Sequence, residues 1–97
     1  MPSNFFIGIG EADLMIDNSQ SLKEKRRVVS SLKERLKSRF NLAVCEYGDQ
    51  ELWQRVQLGL VLCSNDRSYV QSVFNDIRDF LGGYRTVTLL NLETRVV

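Results

Sequence analysis

The spacing of apolar residues along this chain changes period in a fixed order: every second position, every third or fourth, every second twice over, every third or fourth, every second. From Phe5 to Ile16, Phe6, Ala12, Leu14 and Ile16 mark one face, with Gly8 and Gly10 between them. The odd positions pass from Phe5, Ile7 and Ile9 to Glu11 and Asp13. That pattern suits a central strand whose second face is partly solvated. Asp17-Asn18-Ser19 supplies turn chemistry. Ser21-Leu22-Lys23-Glu24 then has the form of a capping box, in which serine and glutamate satisfy free amides at a helix start. Leu22, Val29, Leu32, Leu36 and Phe40 continue at helical spacing, so a helix is predicted over about 21–38.

Leu42 to Tyr47 reads as a short strand ending at Gly48-Asp49. Val56, Leu58, Leu60 and Leu62 alternate with Gln57, Gly59, Val61 and Cys63, the clearest strand in the chain. Asn65 or Asp66 caps a second helix, whose stripe is Val70, Val73, Phe74, Ile77, Phe80 and Leu81 and whose end is Gly82-Gly83. Arg85 to Val97, rich in Thr, Val and Leu, is the last strand. The order β-α-β-β-α-β with right-handed crossovers places the first and third strands centrally and both helices on one face. The expected fold class is therefore α+β: a ferredoxin-like sandwich, with a four-stranded antiparallel sheet, filling 1–97 as a single domain.

The sequence excludes several chemistries. It has no histidine, the commonest general base and metal ligand. Cys45 and Cys63 form no CxxC pair and sit in apolar runs, so both are expected to be buried free thiols in a reducing compartment. There is no Walker motif, and Gly8-Ile9-Gly10 lacks the rest of a dinucleotide fingerprint. Glu46, Asp49 and Glu51 could gather around a divalent ion, but a solvated loop is the favoured reading. The N-terminal apolar run is too short for a membrane span and lacks a basic flank. The expectation is a cytoplasmic protein, not an enzyme, with no catalytic residues, no metal, no cofactor and no membrane association.

Charge is the feature that points to a partner. The formal net charge is only +1. Residues 21–40, however, hold eight basic and two acidic residues, a net +6, which leaves five basic and ten acidic residues, −5, elsewhere. At about 100° per residue, Lys23, Arg26, Lys33 and Lys37 fall in one sector ~80° wide, with Ser30 between them and Arg27 on the flank. Arg35 and Arg39 lie across the apolar stripe. A row of this kind can track phosphates, releasing counterions at each contact. A solvated, solubilising face is the plainer explanation.

Other residues leave two readings open. Lys25 projects near the apolar stripe and either snorkels to solvent or pairs with a carboxylate. Trp53, beside Arg55 between the middle strands, either contacts a partner or covers the sheet edge. The third strand lacks the stacking aromatics of an RNA-recognition sheet, so RNA contact is assigned to the helix. The open sheet face, with Ile7, Ile9, Val61, Val87 and Leu89, offers apolar area for a homodimer.

Ser21-Leu22-Lys23-Glu24-Lys25-Arg26-Arg27, then Leu52-Trp53-Gln54-Arg55, then Ser64-Asn65-Asp66-Arg67 resemble, in order and spacing, the YlxP-like bacterial family of unknown function. The resemblance covers nearly the whole chain and implies the same ferredoxin-like fold. Genes of that family often lie beside those for a translation initiation factor and ribosome-binding factor A, which implies a role in ribosome assembly or translation. It supplies no catalytic residues. Gly10 departs from it, standing where a larger apolar residue is usual, and is expected to loosen packing beneath the first helix. The leading expectation is a binding protein for RNA or a ribosomal subunit, using Lys23, Arg26, Arg27, Lys33 and Lys37. The alternative is a protein–protein adaptor or homodimer using the open sheet face with Trp53 and Arg55, and a small-molecule sensor ranks third.

Overall fold

The computed structural model describes residues 4–97; the first three residues, which precede the first strand, lie outside the described residues. Six elements follow in the expected order: β1 Phe6–Ile16, α1 Leu22–Arg39, β2 Ala43–Tyr47, β3 Arg55–Ser64, α2 Arg67–Gly82 and β4 Val87–Val96. The strands form one antiparallel sheet in the order β2-β3-β1-β4, the ferredoxin-like arrangement. α1 packs over β2, and α2 over β4, β1 and β3.

The period-two faces explain this layering. Ala12, Leu14 and Ile16 of β1 and Val56, Leu58, Leu60 and Leu62 of β3 all point to the helices and are buried. Val29, Leu32 and Leu36 of α1 meet them from above, beside Val70, Val73, Phe74, Ile77 and Leu81 of α2. Ser21 caps α1 by accepting from the Glu24 amide at 3.1 Å, and Glu24 returns the favour by accepting from the Gln20 amide at 3.0 Å. Asp66, not Asn65, caps α2, accepting from the Ser68 and Tyr69 amides. No helix among the described residues is long and apolar enough to cross a membrane.

Three expectations change. Cys45 and Cys63 are free but exposed, because β2 and β3 turn their odd positions to the open face of the sheet. Val87 and Leu89 face the helices rather than the open face. A register shift between Asp13 and Leu14, opposite Leu90, inserts one residue into β4 and reverses its parity there. Gly10 does not loosen the core under α1. A Cβ at that position would lie 2.8 Å from Phe74 Cε1, so the missing side chain is the space that the α2 phenyl ring fills. Glu46 turns inward, away from Asp49 and Glu51, so the three do not converge; among the described residues no three metal-ligating groups cluster.

Candidate nucleic-acid interface

α1 carries its charge on two flanks, separated on one side by the buried stripe. Only Lys25 enters the core, where it is 1% exposed. Its Nζ donates to the Gln50 carbonyl at 2.9 Å and lies 3.0 Å from Glu46 Oε2, an ion pair between α1 and β2. The open question about Lys25 is thereby answered: it pairs rather than snorkels. The same ammonium holds the β2–β3 connection. Gln54 reinforces that hold, its Nε2 donating to the Ser19 carbonyl at 3.3 Å and its carbonyl accepting from the Ile16 amide at 2.8 Å.

The first flank holds the row expected from the sequence. Lys23, Arg26 and Lys37 are exposed and Lys33 is half-buried. Among the described residues one carboxylate comes within 4 Å of them, Glu34, 3.9 Å from Lys37, an exposed (i, i+3) pair worth little in water. From Lys23 to Lys37 the row spans ~21 Å of helix axis at ~1.5 Å per residue. At its N-terminal end stands the connection pinned by Lys25, which carries Leu52 and Trp53. Trp53 is 51% exposed, with no hydrogen bond from its indole N–H among the described residues. Arg55 is already engaged: its Nη2 donates to Asp13 Oδ2 at 2.7 Å on the open sheet face.

The second flank was only partly visible from the sequence. Arg27 joins Arg35 and Arg39 along a groove of about 780 Å³ between α1 and the end of α2, closed at the far side by Tyr84 and Arg85. Aromatic contacts build its floor. Phe40, just past α1, meets Phe80 of α2 edge-on at 5.9 Å between centroids, and Phe80 meets Tyr84 at 5.7 Å. The Arg35 guanidinium lies 5.9 Å from the Tyr84 ring and that of Arg39 lies 5.5 Å from Phe80. None of Arg27, Arg35, Arg39 or Arg85 has a carboxylate within 4 Å among the described residues. The row thus keeps Lys23, Arg26, Lys33 and Lys37 together, and Arg27 belongs to the other side. Arg85, Phe80 and Tyr84 were missed because sequence periodicity does not say which flank of α1 meets α2.

The open sheet face is different in character. Ile7, Ile9, Ala43, Val61 and Cys63 make one end apolar. Next to them Glu11 and Glu93 face each other directly across β1 and β4, with Asp13 one pair further along. Tyr47, on the same face, has its phenol pushed above the usual range by burial, with Glu11, Asp13 and Glu93 adding to the effect. No aromatic residue lies on the open face of β1 or β3.

A family model described as a protein of unknown function, DUF503, matches residues 7–94. The chain belongs to this family. It is also 31% identical to the uncharacterised protein YlxP of Bacillus subtilis (strain 168) over 86 residues, which cover 84% of this chain and 94% of that protein. The resemblance read from the α1, β2–β3 and α2-cap segments is thus to the family the chain belongs to. The match includes all of α1, the connection carrying Trp53 and both borders of the groove.

Proposed function

We propose that this protein is a non-catalytic binding protein of the cytoplasm that associates with RNA or a ribosomal subunit through α1. The observation that carries the reading is the use made of the eight basic residues in 21–40. Folding employs one, Lys25; the other seven stand outside the core, and just one of them has an acidic neighbour within 4 Å among the described residues. Bare cationic rows of this length are expensive in self-repulsion and are relieved by a polyanion that releases its counterions.

The reading is tested by co-sedimentation of the protein with ribosomal subunits across a salt series, alongside the variant Lys23→Glu/Arg26→Glu/Lys33→Glu/Lys37→Glu. Four phosphate contacts give a log–log slope of about −3, and the variant is expected to lose most of it. Absence of binding to either subunit at low salt overturns the reading.

A second reading, a homodimer or adaptor through the open sheet, draws on the apolar end of that face, where Val61 is 44% exposed. It predicts salt-tolerant association lost on Val61→Glu. A monomer at all concentrations, with no salt-tolerant partner, speaks against it.

A further inference from the structure

We propose that the groove between α1 and α2 holds a short single-stranded stretch of RNA, one nucleotide to each of two adjoining depressions. This rests on the reading of the protein as an RNA binder and assigns the strand form and the subsite. The first depression is the arginine-lined groove of about 780 Å³. The second, of about 760 Å³, lies beyond Phe80 and shares Arg39, Asp79 and Phe80 with the first. Together they make a continuous track rather than an isolated pocket.

The chemistry of the track matches an unstacked strand. Unpaired bases are held by stacking on aromatic faces or on guanidinium planes, with backbone phosphates on arginine. Here Tyr84 and Phe80 lie under the Arg35 and Arg39 guanidinia, and Tyr69, 53% exposed, borders the second depression. Arg27 and Arg85 add cationic groups with no carboxylate within 4 Å among the described residues. Asp76 in the second depression, and Asp79 where the two depressions meet, are acceptors for exocyclic amino groups. The lysine-bearing flank of α1 has the charge without the rings, so it suits a backbone and not a base.

The test uses the full chain, a fluorescently labelled hexaribonucleotide and anisotropy at low salt. Arg35→Lys/Arg39→Lys keeps the charge but loses the planar stack. That variant, Tyr84→Leu and Arg85→Ala are each expected to weaken binding about tenfold, the scale of one lost stacking or arginine contact. Among the described residues the Arg85 side chain makes no hydrogen bond or ion pair, so its variant reports on binding even where another variant unfolds. Arg67→Ala/Arg95→Ala, which removes two exposed cations away from the groove, is expected to cost less than about threefold, since it removes general attraction alone. The inference is overturned if the groove variants bind the hexamer as the parent does, or if the Arg67→Ala/Arg95→Ala variant loses as much as they do. Adenosine monophosphate competing as strongly as the hexamer also overturns it, because the track would then be a nucleotide pocket. Ribosomal co-sedimentation separates the two claims. Subunit binding abolished by the four-site reversal, with hexamer binding indifferent to the groove, removes this inference and leaves the proposed function standing.

Discussion

Replacing Lys25 by methionine keeps the length of the side chain and removes its ammonium from a site that is 1% exposed. The Gln50 carbonyl loses a hydrogen bond of 2.9 Å, and Glu46 Oε2, which has no hydrogen-bond partner among the described residues, loses the ammonium 3.0 Å away. At that separation, with an effective dielectric constant near 20, the attraction to Glu46 is about 5.5 kcal/mol. Most of it offsets the cost of taking both charges out of water. The net effect of the variant is therefore governed by the carboxylate left behind. Removing one partner of a buried pair costs about 3–5 kcal/mol, and Glu46 retains 15% side-chain exposure, which lets water reach it. The lower end, about 3 kcal/mol, is expected. In a domain of this size that lowers Tm by roughly 12–24 °C. It lowers the urea midpoint by about 1–3 M at ordinary m-values. Lys25→Met/Glu46→Leu replaces both charges by apolar groups and is expected to lie within about 1 kcal/mol of the parent. Urea titrations of the parent, both single variants and the double variant complete the cycle. A Lys25→Met midpoint equal to that of the parent, or a double variant no better than the single, refutes the account.

Two further outcomes follow from close packing and from charge. Gly10→Ala places a methyl group 2.8 Å from the Phe74 ring and is expected to cost about 1–3 kcal/mol, recovered in part by Phe74→Leu; thermal melts of the three variants decide. The Tyr47 phenol is held above its ordinary value of 10.0, so the folded state keeps that proton where the unfolded chain releases it. Its contribution to stability is complete below pH 10 and is lost as the pH rises through the raised value, and Glu11→Gln/Glu93→Gln is expected to move the phenolate absorbance transition to lower pH.

The elements and their order were readable because each has its own period and its own punctuation: the Ser21–Glu24 box, Asp66, Gly82-Gly83. Strand parity was readable where one face is polar, as in β1 beyond Glu11. It was not readable in β2, where Ala43, Val44 and Cys45 are apolar on both faces, so the exposure of Cys45 went unseen; Cys63 stood on the mixed face of β3, and its apolar neighbours alone suggested burial. A hint lay in the two misplaced charges. Lys25 on the apolar side of a helix and Glu46 on the inner side of a strand make sense only together, and nothing in either segment alone indicates the other. The bulge at Leu90 was hidden for a related reason, since Leu89 and Leu90 serve equally well as the inward residue. Of the candidate interface, the lysine row followed from helix geometry. The arginine groove required the tertiary placement of Phe80, Tyr84 and Arg85 beside α1.

The concentration of positive charge on one helix of a nearly neutral molecule has a kinetic consequence. With a net charge of +1, there is little long-range pull toward a polyanion. The imbalance between +6 over residues 21–40 and −5 elsewhere acts instead as a torque. Near physiological salt this torque is felt only within about 8 Å of the surface. Were the proposed polyanion the partner, approach would be governed by free diffusion until the last nanometre, where the molecule would turn α1 inward and leave Glu11 and Glu93 facing away. Added salt should slow productive encounters by letting the molecule arrive in the wrong orientation more often, while the frequency of collision itself hardly changes.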